Sequence, residues 1–152
     1  MILEYKRLRT NVMPPIRANP SDCGLDVFFN PADGKELKIS INETKLLETG
    51  LVFEVPHGYM LEVKNRSSMA SKKGVIVGGG VIDPGYEGEI KVNLINVGMN
   101  QPVTIQPGDK IAQLVLIPVI HFKAYEKVNG DLYDYPVAIS DRGNGGFGST
   151  GS

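Results

Sequence analysis

The chain has 152 residues, a formal net charge of −1 and a single cysteine. That length suits one domain with a core that needs no disulfide or metal staple. The charge balance excludes a dedicated nucleic-acid binder, which carries a basic excess, while leaving room for a local basic pocket. A lone Cys23 cannot form an internal disulfide and suits a reducing compartment. The segment Met1-Ile2-Leu3-Glu4-Tyr5-Lys6 has no apolar run fit for a signal peptide, and nothing approaches the roughly 20 apolar residues of a membrane span. The expectation is a soluble, cytoplasmic protein with no membrane or nucleic-acid partner.

In chain order, the first informative segment is Asp22-Cys23-Gly24-Leu25-Asp26-Val27. Asp22 and Gly24 beside Cys23 do nothing to activate a thiol, so Cys23 is expected to be a small buried filler. Asp26 interrupts an apolar strand start. A partly buried carboxylate needs a partner, either an arginine or a hydrated metal. Leu37-Lys38-Ile39-Ser40-Ile41 then alternates cleanly, and Tyr59-Met60-Leu61-Glu62-Val63-Lys64 does so more loosely. Ile90, Val92 and Leu94 share one face of a half-buried strand, and Ile111 to Ile117 is so apolar that it predicts a strand covered on both sides. Turn signals separate these runs at Ala32-Asp33-Gly34, Pro56-His57-Gly58, Pro84-Gly85, Gln106-Pro107-Gly108-Asp109 and Asn129-Gly130-Asp131. Ten prolines and eighteen glycines leave little room for long helices, and one short helix is predicted at about Ser67 to Lys73. The pattern predicts an all-β sandwich, jelly roll or barrel.

Three segments carry candidate chemistry. Arg66-Ser67-Ser68 opens the short helix, where hydroxyls, an arginine fork and the helix end suit a phosphate; a plain helix cap beside a surface arginine is the alternative. Gly78-Gly79-Gly80-Val81-Ile82-Asp83-Pro84-Gly85-Tyr86 invites close backbone approach by something flat or charged, although Asp83 could simply brace the Pro-Gly turn and Tyr86 could be core. The tail from Arg142 reads Arg-Gly-Asn-Gly-Gly-Phe-Gly-Ser-Thr-Gly-Ser. Five glycines in its eleven residues cannot pack a core. Chemistry alone leaves open both an inert end and an arm that folds over a ligand. His57 and His121 lie far apart in sequence, and no His/Cys/Asp set has zinc spacing.

Five segments, in order and over nearly the whole chain, resemble the motifs of the trimeric dUTPase family. They are Ala18 to Asp26, Asn65 to Gly74, Gly80 to Ile90, Gly108 to Leu114, and Arg142 to Gly151. The resemblance implies an all-β, jelly-roll-like barrel over residues 1–141, with one short helix, and a flexible Gly-rich C-terminal arm over 142–152. It implies a homotrimer with shared active sites that hydrolyses dUTP to dUMP and pyrophosphate with Mg²⁺, keeping uracil out of DNA and supplying dUMP for thymidylate synthesis. By the same resemblance Asp83 holds the attacking water, and Asp26 organises the Mg²⁺ shell through water. Arg66, Ser67, Ser68 and Gln113 hold phosphates. Gly80, Val81 and Ile82 read uracil, with Tyr86 under the deoxyribose. Phe147 caps the base, while Arg142, Gly148, Ser149 and Thr150 belong to the closing arm.

Asn65, Lys110, Glu87 and Cys23 depart from the commonest family pattern, and none removes a residue with a direct catalytic role. The segment Ile82 to Gly88 is also similar to dCTP deaminases, whose pattern places a proton-shuttling glutamate at position 93. Asn93 cannot shuttle that proton, which disfavours deamination. A non-enzymatic jelly roll that binds a protein partner is a further reading, but it gives no reason to keep Asp83, Tyr86 and the Phe147 arm together.

Overall fold

A computed structural model describes residues 1–98, 101–130 and 132. Its strands are β1 (Tyr5–Arg7), β2 (Leu25–Phe28), β3 (Leu37–Ile39), β4 (Thr44–Glu48), β5 (Leu51–Phe53), β6 (Tyr59–Lys64), β7 (Val75–Val77), β8 (Val81–Ile82), β9 (Lys91–Asn96), β10 (Val103–Ile105) and β11 (Lys110–Pro118). The helix α1 spans Ser67–Lys73. All pairings are antiparallel, in sheets of order β2-β11-β6-β8, β4-β9-β7, β1-β5 and β10-β3. This is the expected all-β, jelly-roll architecture with a short helix.

Every one of these strands lies within Met1–His121, the first of two compact units. The described part of the second unit, Phe122–Ser152, holds no helix or strand and is exposed. The expected boundary between 141 and 142, and the arm beyond it, lie outside the described residues.

The period-2 pattern on β9 settles as expected, with Ile90, Val92 and Leu94 all in the core. Val27, Ile39, Leu61 and Ile111 meet them there. Strand β3 stops before Ile41, which is 42% exposed, because Asn42 takes a left-handed φ of 60° and turns the chain. Strand β11 is less covered than its composition predicts. Ile111, Ala112 and Leu114 are buried, but Val115, Leu116 and Ile117 are only half-buried. Its apolar character reflects a central place between β2 and β6 rather than full burial on both faces.

Buried polar side chains stitch the layers together, since a polar atom without water must find a protein partner. Asn30 Nδ2 donates to the Thr49 carbonyl at 2.8 Å, and Thr49 Oγ1 donates to the Ile90 carbonyl at 2.6 Å. Asn96 Nδ2 donates to the Ile39 carbonyl at 3.1 Å. None of the three is legible as a core residue in the sequence, because each is short and polar. No helix among the described residues is long and apolar enough to cross a membrane.

Candidate active site

Antiparallel register gathers the first group of candidate residues. Asp26 on β2 stands opposite Gln113 on β11, and Gln113 stands opposite Lys64 on β6. Residues directly opposite share a sheet face, so three distant segments form one polar row. Arg66, one residue beyond the end of β6, is the cap residue of α1, in extended conformation. Its Nε donates to Asp26 Oδ1 at 2.9 Å, while Lys110 Nζ meets Asp26 Oδ2 at 2.8 Å. Both carboxylate oxygens of Asp26 are therefore engaged by cations. The partner that the sequence demanded is an arginine, joined by a lysine that sequence reasoning registered only as a departure from the family pattern.

Gln113 is held by close packing. Its Nε2 donates to the Asn65 carbonyl at 3.0 Å, and Asn65 Oδ1 accepts from the Val77 N–H at 2.6 Å. Gly24 is buried against it, and a Cβ there would fall 2.6 Å from Gln113 Oε1. The row thus owes its shape to a missing side chain. Ser67 is exposed and Ser68 half-exposed in the first turn of α1, and neither hydroxyl caps the helix. Lys72 and Lys73 fill the last turn, where cations suit the helix dipole, and Gly74 closes it with a φ of 64°.

Cys23 is exposed, not the buried filler expected. The Asn19-to-Asp22 turn explains the difference. Asn19 N–H donates to Asp22 Oδ2 at 2.8 Å and Asp22 N–H to the Asn19 carbonyl at 3.0 Å, and the chain re-enters the core only at Gly24. His57 and His121 are exposed and stack on each other at 4.7 Å between ring centroids.

The second group surrounds a pocket of about 850 Å³ lined by Gly79 to Tyr86, Leu46, Glu89, Lys91 and Asn93, among others. Strand β8 pairs with the edge of β6, and the Val63 N–H donates to the Gly80 carbonyl at 2.7 Å. A Cβ on Gly80 would lie 2.9 Å from the Val63 carbonyl oxygen, so only glycine lets the hairpin sit this close. The Tyr86 N–H returns to the Asp83 carbonyl at 3.3 Å, and Gly85 has a φ of 81°. Proline second and a left-handed glycine third make this a type II turn. Its backbone, not the Asp83 side chain, closes the turn, and Asp83 is exposed at the pocket. Tyr86 is not core: it is 48% exposed, and its hydroxyl donates to the Glu89 carbonyl at 3.0 Å. The ring lies over Gly88, where a Cβ would meet the Tyr86 hydroxyl at 2.5 Å.

None of Asp26, Arg66, Ser67, Ser68 or Gln113 lines this pocket. One copy of the chain therefore presents a cationic row and a glycine-walled pocket as separate features. Arg142, Phe147, Gly148, Ser149 and Thr150 lie outside the described residues.

The family model dUTPase matches residues 10–151. The chain belongs to the dUTPase family. A deoxyuridine 5′-triphosphate nucleotidohydrolase of Hydrogenobaculum sp. (strain Y04AAS1) is 38% identical over 99% of both chains. Another, of Aquifex aeolicus (strain VF5), is 46% identical over 78% of this chain and 80% of its own. Among solved structures, Staphylococcus bacteriophage 80alpha dUTPase with dUpNHpp superposes with a TM-score of 0.82 at 24% identity, over 99% of both chains. A mutant dUTPase from phage phi11 of S. aureus, described for the coordination of a structural Mg(II) ion, superposes at 0.76 with 22% identity, over 86% of this chain and 99% of that one. The structural likenesses bear out the fold. The identity and coverage of the curated relatives carry family membership.

Within a dUTPase frame the departures have physical readings. Lys110 supplies the second cation on Asp26. Asn65 ties the end of β6 to β7 and holds Gln113. Glu87 is exposed beside a second concavity with Tyr5, Lys6 and Phe53.

Proposed function

We propose that this chain is a dUTP diphosphatase that hydrolyses dUTP to dUMP and pyrophosphate. One observation carries the reading beyond family membership: Asp83 and Tyr86 stand exposed in the lining of the glycine-walled pocket, while the phosphate-type donors gathered around Asp26 do not line it. The pocket suits a neutral flat base and its sugar. The row of Arg66, Ser67, Ser68 and Gln113 suits a triphosphate.

The chemistry is positioning and charge neutralisation. A water held by the Asp83 carboxylate attacks the α-phosphorus and gives its proton to that carboxylate. The new bond joins the water oxygen to phosphorus, and the bond to the bridging oxygen breaks, so pyrophosphate leaves with the electron pair. Arg66, whose Nε and Nη1 are used within the chain, keeps Nη2 free of protein partners among the described residues and able to meet a phosphate oxygen. Tyr86, tied to the Glu89 carbonyl, offers its ring to the deoxyribose and crowds a 2′-hydroxyl.

Mg²⁺ fits this donor set in a limited way. No cluster of three or more His, Cys, Asp or Glu side chains occurs among the described residues, so the chain offers no ligand cage there. Mg²⁺ commonly keeps several waters and takes its remaining ligands from substrate phosphates. Asp26, with a side chain 14% exposed, would accept hydrogen bonds from such waters. When bound, the ion neutralises phosphate charge and orients the triphosphate.

The separation of the two half-sites supports a site shared between copies of the chain, one supplying the hairpin and another the phosphate row; the number three follows the family resemblance. The Gly-rich arm with Arg142, Phe147, Gly148, Ser149 and Thr150 then closes over the nucleotide. We place the enzyme in the cytoplasm, where its nucleotide is found. Its role there is to keep uracil out of DNA and provide dUMP for thymidylate synthesis.

The test is pyrophosphate release from dUTP, dCTP, dTTP and UTP in parallel, with Mg²⁺ and with EDTA, alongside light scattering for the mass in solution. Release from dUTP alone, abolished by EDTA, at the mass of three chains is the expected result. No release from dUTP by folded protein would overturn the proposal.

A further inference from the structure

The hydrolytic reading leaves the side chains of Glu89, Lys91 and Asn93 in the pocket lining unused, and Asn93 is the neutral one among them. Asn93 lies on β9 between the core residues Val92 and Leu94, and its half-buried side chain faces out into the pocket. Its amide is fixed in one sense. Thr44, a diagonal neighbour on β4, donates from Oγ1 to Asn93 Oδ1 at 2.5 Å. An amide whose oxygen is tied down presents its NH₂ as a donor. Asn93 Nδ2 has no protein acceptor among the described residues.

The backbone opposite leaves space for that donor. Gly78 N–H donates to the Asn93 carbonyl at 3.0 Å, which holds the two residues together. A Cβ on Gly78 would stand 3.1 Å from Asn93 Nδ2 and 2.7 Å from Ile95 Cδ1. Any larger residue would push the amide aside. The donor is neutral; Lys91 and Glu89, of opposite charge, also line the pocket, while the Arg66 guanidinium and the Ser67, Ser68 and Gln113 side chains do not. A neutral NH₂ beside Leu46 and Val81 suits a ring carbonyl better than a phosphate.

We infer that Asn93 is a specificity-determining residue, whose Nδ2 donates to a ring carbonyl of the bound pyrimidine. It favours a base with a carbonyl at that edge over one with an amine there, because two donors facing each other leave both unsatisfied. This rests on the proposal that the pocket takes the base of the nucleotide.

Equilibrium binding of dUMP and of dCMP to the full chain tests it, with pyrophosphate release from dUTP measured on the same samples. Wild type prefers dUMP. Asn93→Ala shrinks the preference by about tenfold, the loss of one discriminating hydrogen bond. Thr44→Val, which frees the amide to rotate, shrinks it less, and Thr44→Ser retains it. Asn93→Asp, a pure acceptor, moves the preference toward dCMP. A merely structural role for Asn93 would weaken both nucleotides alike. Equal binding of both nucleotides by wild type, or a ratio in folded Asn93→Ala within about twofold of wild type, overturns the inference. Absent pyrophosphate release with the dUMP preference intact and lost in Asn93→Ala sinks the hydrolytic reading and upholds this one.

Discussion

Asp26→Asn is the sharpest probe of the proposed phosphate row. The substitution keeps size and shape but removes the only negative charge between two cations. Arg66 Nε and Lys110 Nζ sit 2.9 and 2.8 Å from its two oxygens. Asparagine still accepts from one of them and turns an NH₂ toward the other. A charge-assisted hydrogen bond contributes about 1.5–3 kcal/mol when well shielded. Here Asp26 is 14% exposed, but Arg66 and Lys110 are 26% and 32% exposed and can return partly to water. That discount brings the expected loss to about 1–2 kcal/mol. Urea unfolding at fixed protein concentration measures it without adding salt, and holds any mass-action term constant. Repeating the titration in 1 M NaCl, where the screening length falls to about 3 Å, should reduce the loss. A cycle with Lys110→Met isolates the pair, since in that background Asp26 has no lysine partner to lose. The variant should also raise KM for dUTP, because Arg66 loses the contact that orients its fork. Stability within about 0.3 kcal/mol of wild type at low salt would refute the reasoning, because the pairs would then be solvated and inconsequential.

Two glycines should respond in opposite ways to alanine. Gly80→Ala drives a Cβ to 2.9 Å from the Val63 carbonyl oxygen, a backbone atom that cannot swing away, and should cost about 1–3 kcal/mol in urea unfolding. Gly24→Ala meets the flexible end of Gln113 at 2.6 Å, so stability should hold while KM for dUTP rises in steady-state kinetics. Asp83→Asn keeps the shape of an exposed residue whose backbone, not side chain, closes the turn; nucleotide binding by calorimetry should survive while kcat falls by about 10²–10⁴. Truncation before Gly143 should leave the oligomer and its melting temperature intact in light scattering and calorimetry, while pyrophosphate release falls sharply.

The parts of this molecule that were legible in its sequence are those set by local chemistry. Each turn glycine at 34, 58, 85, 108 and 130 adopts the positive φ that its neighbours foretold. The alternation from Ile90 to Leu94 gave the face of β9 because burial on one side enforces period 2. Helix α1 was readable from its end at Gly74 and the lack of proline between Ser67 and Lys73. Short strands such as β5 and β10 do not stand out, because three residues show a period only where, as at β3, the alternation runs on into the flanking chain. Cys23 was misplaced for a related reason. Residue type argued for burial, but the preceding turn keeps the chain outside until Gly24.

What escaped the sequence is what register alone decides. Asp26 declared its need for a partner, yet nothing local could name Lys110, which opens β11 opposite β2, beside a register shift between Lys110 and Ala112. That irregularity bends the ladder where the lysine leaves it. Asn93 is the same kind of case. In the sequence it is the polar position of an alternating strand, as a solvent-facing residue would be. Only the diagonal contact from Thr44 converts it into an oriented donor, and only Gly78 opposite gives it room. Charge and hydrogen-bond direction, unlike hydrophobic period, are properties of pairs, so the polar geometry of this pocket becomes visible only once the strands are in register.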